Sequence, residues 1–347
     1  MARPKAKPAL QEFALIRDLQ RRYARHASGL VQGIGDDAAV IATSTPAWWH
    51  LTTDLLAEGI HFDLKSATPE SVGYRAAMAN LSDIAAMGAV PRYLLVALAI
   101  PKTFKRPQVD ELYGGLMKAC RLYGVALVGG DTSASMAGLF LSITLIGTST
   151  KHRALFRHGA KVGDQIFVSG TLGDSLAGLR LSGRGKRSRS SGTRSAPLSH
   201  SHRQFLMRRH FYPTARVAEG QWLNSERLAS AAIDVSDGLS GDLRHICEES
   251  RVGAEVELGK IPISSACRAY AQAVGVSPVQ LALTGGEDYE LLFTASPKNR
   301  ELLERQARVR GYRVTCIGMI RPQRFGMQMT SDGRILPMPV TSYEHFH

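Results

Sequence analysis

The sequence is poor in the features that mark several protein classes. It has four cysteines, Cys120, Cys247, Cys267 and Cys316, and no two of them form a CxxC pair. That spacing argues against a zinc site and fits buried free thiols in a reducing compartment. Long apolar runs are also lacking. The uncharged run Leu94 to Ile100 has the length of a strand and falls far short of the ~20 residues that span a bilayer. Residues 1–11 are basic and rich in Pro and Ala, without the apolar stretch of a signal peptide, and read as a flexible leader. These absences predict a cytoplasmic protein with no membrane partner.

Familiar phosphate-binding signatures are missing too. At Gly185-Lys186 the Walker pattern fails twice, because Arg180 stands where its first Gly belongs and Arg187 where its Ser or Thr belongs. No GxGxxG follows a strand-like run. There is no HRD or DFG set of a protein kinase and no GxSxG elbow of a hydrolase.

What is present is an ordinary globular composition with uneven charge. The chain has 347 residues, 44% hydrophobic and 21% charged, which favours two domains that each bury a core. The formal charge of +13 raises the question of a polyanionic partner. Yet the segment 183–203 alone holds six Lys/Arg and no acid, and without it the charge falls to +7. Its Ser, Gly and Arg cannot build a core, so it reads as a disordered insert. No reader motif accompanies the charge, so no specific nucleic-acid partner is expected.

Apolar periodicity organises the rest. Helices are expected over Glu12 to His26, Pro69 to Met87, Val109 to Tyr123, Asp174 to Leu181, Pro213 to Leu223 and Leu239 to Ser250. Strands are expected over Ala38 to Ala42, Trp48 to Thr53, Tyr93 to Ile100, Leu139 to Gly147, Gln165 to Ser169, Ala231 to Val235, Ala254 to Leu258, Glu290 to Thr294 and Arg313 to Ile320. Val125 to Val128 reads as a short buried strand. Helices and strands mix without strict βαβ alternation, which predicts an α+β fold of two domains, 12–150 and 151–347.

The chemistry is carried by aspartates in small-residue settings. They are GIGDDAA (Asp36, Asp37), TTD (Asp54), NLSD (Asp83), VGGDTS (Asp131) and IDVSDG (Asp234, Asp237). Most stand where a strand starts or stops, the place where a scaffold presents functional groups. Converging carboxylates suit magnesium, which takes oxygen ligands and bridges to substrate phosphates. Singly, an Asp beside Gly is a common turn or cap. Asp83 differs, because it is the one charge in AAMANLSDIAAMGAV and is costly there unless paired or bound to a cation. His61, in AEGIHF, is by itself more typical of plain structure.

Taken in order from EFALI at Glu12 to YEHF at Tyr343, the segments GIGDDAA, TTDLLAEGIHF, NLSDIAAMGA, VGGDTS, GAKVGD, SGTLGDSLAGL, RRHFYPTAR, IDVSDGL and LTGGEDYELLF resemble the thiamine-monophosphate kinase family. That family lies within the superfamily of aminoimidazole-ribotide synthetase, selenophosphate synthetase and hydrogenase-maturation enzymes. The resemblance implies ATP-dependent phosphorylation of thiamine monophosphate to the diphosphate, several Mg2+ ions, and a homodimer formed through the N-terminal sheet. It implies metal ligation by Asp37, Thr52, Thr53, Asp54, Asp83, Asp131, Asp234 and Asp237. It implies ATP contacts at Gly130, Asp131, Arg153, Ser236 and Tyr113, with Asp54, Asp83, Asp131 and Arg153 serving the transfer. It implies substrate contacts at His61, Glu287 and Tyr343, the last a position where the family often has Trp. The superfamily rivals fit less well. No Cys precedes Cys120, unlike the selenophosphate enzymes, and the chain ends on His347 rather than the Cys of the hydrogenase-maturation enzymes.

Overall fold

The computed structural model describes residues 12–23, 27–183, 198–331 and 333–339. Among these, the first sheet has six strands: β1 (Leu30–Gln32), β2 (Ala39–Ala42), β3 (Ala47–Ala57), β4 (Val90–Pro101), β5 (Ala126–Ser135) and β6 (Phe140–Thr150), in the order β1-β2-β3-β6-β4-β5. Alternation decides which way it faces. Leu94, Val96 and Leu98 of β4 and Leu141, Ile143 and Leu145 of β6 are buried toward the helices, and their neighbours form an open face.

Helices α1 (Glu12–Tyr23), α2 (Pro69–Ala86) and α3 (Arg106–Tyr123) accompany this sheet. The start of α2 follows from its sequence, since Thr68 accepts a hydrogen bond from the Ser71 amide at 3.2 Å and Pro69 occupies the first turn. Gly73 of α2 and Gly115 of α3 let the two helices touch, because a Cβ on either would strike the other helix's backbone carbonyl. Buried along nearly its whole length, α2 runs between the two halves of the molecule.

The second half contains β7 (Gln165–Ser169), α4 (Asp174–Leu181), α5 (His200–Phe211), α6 (Val217–Ser225), β8 (Ala231–Asp234), α7 (Leu239–Ser250), β9 (Val252–Glu257), α8 (Ser265–Val274), α9 (Pro278–Thr284), β10 (Leu291–Ala295), α10 (Arg300–Arg310), β11 (Val314–Pro322), β12 (Met327–Ser331) and β13 (Arg334–Pro337). Its sheet runs β13-β12-β9-β11-β7-β10-β8. The architecture is α+β, with two sheets. Phe167 and Phe293, stacked at 5.4 Å, extend the first half's core into the second sheet.

Three expectations are corrected. Val125 to Val128 is not a short buried strand: β5 is ten residues long, lies at the sheet edge and is exposed along most of its length, since its Gly, Ser and Thr leave little to bury. The helix expected from Pro213 begins only at Val217, and the segment before it delivers Arg216 to Glu290. The helix expected around Phe205, α5, starts earlier than the insert's expected end and takes up His200 to Arg203 from it, with Ser199 capping its first turn. The leader and residues 184–197 of the insert lie outside the described residues, as does Tyr343.

Candidate active site

Four elements from both halves aim carboxylates at one point. Asp37 comes from the loop after β1, Asp54 from the helix-facing side of β3, Asp83 from α2 and Asp234 from the end of β8. Carboxylate oxygens of Asp37, Asp83 and Asp234 lie within 4.8 Å of one another. The Thr52 hydroxyl, on the same face of β3 as Asp54, donates to Asp83 Oδ2. Ser82 Oγ donates to Asp234 Oδ2 at 2.6 Å. Arg157 grips Asp37 Oδ1 through Nη2 at 2.6 Å and Nε at 3.2 Å, and its backbone amide turns to Asp36.

The charges here do not balance. Burial pushes Asp54 up to about 6, with Asp237 and Asp37 adding repulsion. Burial and Asp37 push Asp36 up to about 7 despite Arg157. Asp234 rises to about 8 through burial and Asp37. Asp83 and Asp242 are driven well above the usual carboxylate range by burial and by their acidic neighbours. Among the described residues, the guanidinium of Arg157 is the cation whose charge opposes this group. Asp37 Oδ2 is buried and has no hydrogen-bond partner among the described residues. A set of hard oxygen donors with surplus negative charge and an orphaned carboxylate oxygen fits magnesium or a similar divalent cation.

The turn after β8 is part of the same site. Asp242, in the first turn of α7, accepts from the amides of Asp237 at 3.3 Å and Gly238 at 3.0 Å. The carbonyl of Ser236 accepts the Glu287 amide at 2.8 Å, which ties this turn to the loop before β10. Glu287 and Tyr289 both have positive φ, 62° and 51°. Such backbone persists where the surroundings over-determine it, commonly at functional sites.

Next to that loop the structure gathers His61 and Glu287. Both meet Arg75 of α2, which is only 3% exposed. Its Nη2 donates to the His61 carbonyl and lies 3.3 Å from Glu287 Oε1, and its Nη1 lies 3.0 Å from His210 Nε2. Buried Tyr289 is pushed well above the usual tyrosine range by burial, and it feels the charges of Glu287 and Arg75 as well as those of Asp54 and Asp234, so it lies near both groups.

Other sequence-expected residues are not brought to the cluster within one chain. Thr53 lies on the open face of β3 and bonds the Ile143 carbonyl at 3.1 Å. Asp131 pairs with Ala97 and Gly130 with Val96 on the edge strand β5. Three strand spacings separate β5 from β3, about 14 Å, and Asp131 points to the opposite face from Asp54. Arg153, in the turn after β6, reaches the Ser225 carbonyl at 3.4 Å. Tyr113 packs against the core from α3.

Sequence reasoning missed Arg157, Asp242, Arg75, His210 and Tyr289 as site residues. Two signals existed. Asp242 closes the DGLSGD stretch, and His210 and Tyr289 lie within RRHFYPTAR and LTGGEDYELLF. Nothing local separates Arg157 from Lys151 or Arg153.

Comparison with known proteins gives the family. The AIR synthase related protein N-terminal domain matches residues 35–149, and the corresponding C-terminal domain matches 161–328. The chain is 36% identical over 341 residues to the thiamine-monophosphate kinase of Haemophilus influenzae, covering 97% of this chain and 98% of that one. It is 37% identical over 342 residues to that of Salmonella typhimurium, covering 97% and 99%. A solved structure of AaThiL complexed with AMPPCP and TMP matches with a TM-score of 0.81 at 33% identity over 97% of each chain. The hydrogenase maturation protein HypE in complex with ATP, at 21% identity and a TM-score of 0.64 over 94% of this chain and 93% of that one, shares the fold alone. The chain belongs to the thiamine-monophosphate kinase family.

Proposed function

We propose that this chain transfers the terminal phosphoryl group of ATP to thiamine monophosphate, giving thiamine diphosphate and ADP. The observation that carries the reading is the buried carboxylate cluster with the Arg157 guanidinium against it, set beside the group that gathers His61 and Glu287. Its relatives are named for this activity, and a solved relative holds AMPPCP and TMP.

The residues suit direct in-line transfer. The acceptor is a phosphate monoester with a second pKa near 6, so it is largely dianionic at neutral pH. It needs no general base, and no nucleophile–base pair is required of the protein. The difficulty is to bring two polyanions together. Magnesium, when bound, would screen the phosphates and withdraw charge from the leaving group. Asp37, Asp54, Asp83 and Asp234 would hold it, with Asp237 and the Thr52 hydroxyl at hand. Arg157 restrains Asp37, Ser82 orients Asp234, and Asp242 fixes the turn that carries Asp237. Glu287 offers a carboxylate to the cationic, amino-bearing ring system of the substrate, and His61 and Tyr343 complete that end. Ser236, Arg153 and Tyr113 serve ATP in this reading.

A homodimer follows from the same reading. The first sheet exposes Trp49, Leu55, Tyr93 and Val128, and its edge strand β5 is solvated. Such an edge is normally covered or paired. Asp131, Gly130 and Thr53 stand on that open sheet, so we assign their role to the dimer contact. Four free cysteines support a cytoplasmic enzyme. Among the described residues no helix is long and apolar enough to cross a membrane.

The test is the purified chain with ATP, magnesium and a panel of acceptors, with products identified by mass. Thiamine monophosphate should be converted to the diphosphate far faster than thiamine is phosphorylated, because the site offers no base for a hydroxyl. Equal rates for the two, or no turnover of the monophosphate, would overturn the reading.

A further inference from the structure

We propose that Arg75 is a positioning residue for the thiamine end of the substrate, acting through Glu287 and His61. The inference rests on the reading above, which places those two residues at the substrate.

The geometry is specific. Arg75 is buried on α2, and its guanidinium meets three different segments: the His61 carbonyl, Glu287 Oε1 at 3.3 Å and His210 Nε2 at 3.0 Å. An arginine only donates, so His210 Nε2 accepts and the imidazole proton sits on Nδ1. That nitrogen lies 3.5 Å from Glu287 Oε2 and 3.1 Å from Ser175 Oγ. The two Glu287 oxygens are thus faced by donors from different helices, Arg75 of α2 and His210 of α5. Its backbone, at a φ of 62°, is anchored separately through the Ser236 carbonyl. Glu287 is held in one orientation before any ligand arrives, which is what preorganised recognition requires.

A structural ion pair would need none of this convergence. Arg75 bonds both segments assigned to the substrate, and it shares a helix with Asp83. Eight residues separate the two, about 12 Å along the helix axis. A ligand whose ring end meets Glu287 and whose phosphate end meets the carboxylate cluster would therefore lie along α2. Arg75 fixes one end of that span and Asp83 the other.

The test measures binding of thiamine monophosphate and of a non-hydrolysable ATP analogue by calorimetry, with magnesium, in wild type, Arg75→Met, Arg75→Lys, Glu287→Gln and the double variant Arg75→Met/Glu287→Gln. Arg75→Met should weaken thiamine monophosphate at least tenfold and the ATP analogue less than twofold. Arg75→Lys should recover part of the loss, because it restores the charge without the forked geometry. The double variant should lose clearly less than the sum of the two single losses, because the route through Glu287 is shared and only the hold on His61 is added. Unchanged binding in folded Arg75→Met would overturn the proposal. So would equal weakening of both ligands, or additive losses in the double variant. Should Arg75→Met fail to fold, Arg75→Lys with its own double variant decides by the same criteria. Failure of the kinase reading is separately visible as wild-type protein that neither binds nor phosphorylates thiamine monophosphate, and that result overturns both.

Discussion

Asp234 ends β8 and Glu290 directly precedes the neighbouring strand β10, almost in register, since Asp234 pairs with Leu291. Both are buried, at 2% and 0% exposure, and their charges meet opposite fates. Glu290 receives Arg216 through Nε and Nη2, both at 2.6 Å, Arg209 at 2.9 Å and Ser169 Oγ at 2.6 Å. Burial alone would raise its pKa, but Arg216 and Arg209 outweigh burial and hold it below the usual range. Asp234 receives the Ser82 hydroxyl and feels Arg157, but burial, Asp37 and Asp54 outweigh them and raise it to about 8. Equal burial with opposite charge balance separates a carboxylate that ties the fold together from one that is left for an incoming cation.

The largest expected effect breaks the balanced side. Glu290→Gln leaves two guanidiniums against a neutral amide and should cost about 3–5 kcal/mol, read from urea unfolding. The sign of its pH dependence is fixed by the lowered pKa. The stability Glu290 contributes is present above its unfolded value near 4.5 and is lost as pH falls through its lower folded value.

The unbalanced side should respond in the opposite sense. Asp83→Asn removes a charge that the metal-free fold pays to bury, so unfolding at pH 8 without magnesium should show no loss of stability. Turnover should fall by about 100-fold or more, equivalent to ~2.7 kcal/mol of barrier. A variant that is both active and destabilised would place Asp83 with Glu290 rather than with Asp234.

Much of this division was legible in the sequence, and the rest was hidden for physical reasons. Asp83 stood out because a lone charge on an apolar helix needs a partner. β7, α4 and α7 were bounded correctly because glycines punctuate them: Gly163 and Gly170 flank β7, Gly173 precedes α4 and Gly238 precedes α7. Convergence is invisible locally: Asp37 and Asp234 are far apart in the chain and meet only when the second sheet docks on α2. Arg157 and Arg75 carry no local mark, since their roles come from what folds against them. β5 misled because Val125, buried just before it, and Leu127 look like the start of a core strand, whereas its length and exposure follow from its place at the sheet edge. Asp131 matches its motif yet faces the open side, which a single chain's sequence cannot disclose.

A smaller effect sharpens the comparison. Ser82→Ala removes the one hydroxyl that Asp234 holds within the fold and should cost about 1 kcal/mol of stability. It should also raise the magnesium concentration needed for half-maximal activity a few-fold, while Ser169→Ala, at Glu290, should leave that concentration unchanged.

The most direct measurement is thermal or urea unfolding of wild type and Asp83→Asn, with and without magnesium, between pH 5 and pH 8. Asp54, Asp36 and Asp234 have folded pKa values raised to about 6, 7 and 8, so protons are retained on folding. Metal-free stability should therefore fall as pH rises through that window. A divalent cation competes with those protons, so its stabilisation should grow over the same range. It should reach about 2.7 kcal/mol when magnesium is present at 100 times its dissociation constant. Wild type should show this growing difference and Asp83→Asn should lose most of it. A magnesium effect that is absent, independent of pH, or equal in the two proteins would contradict the assignment of the carboxylate cluster as a cation site.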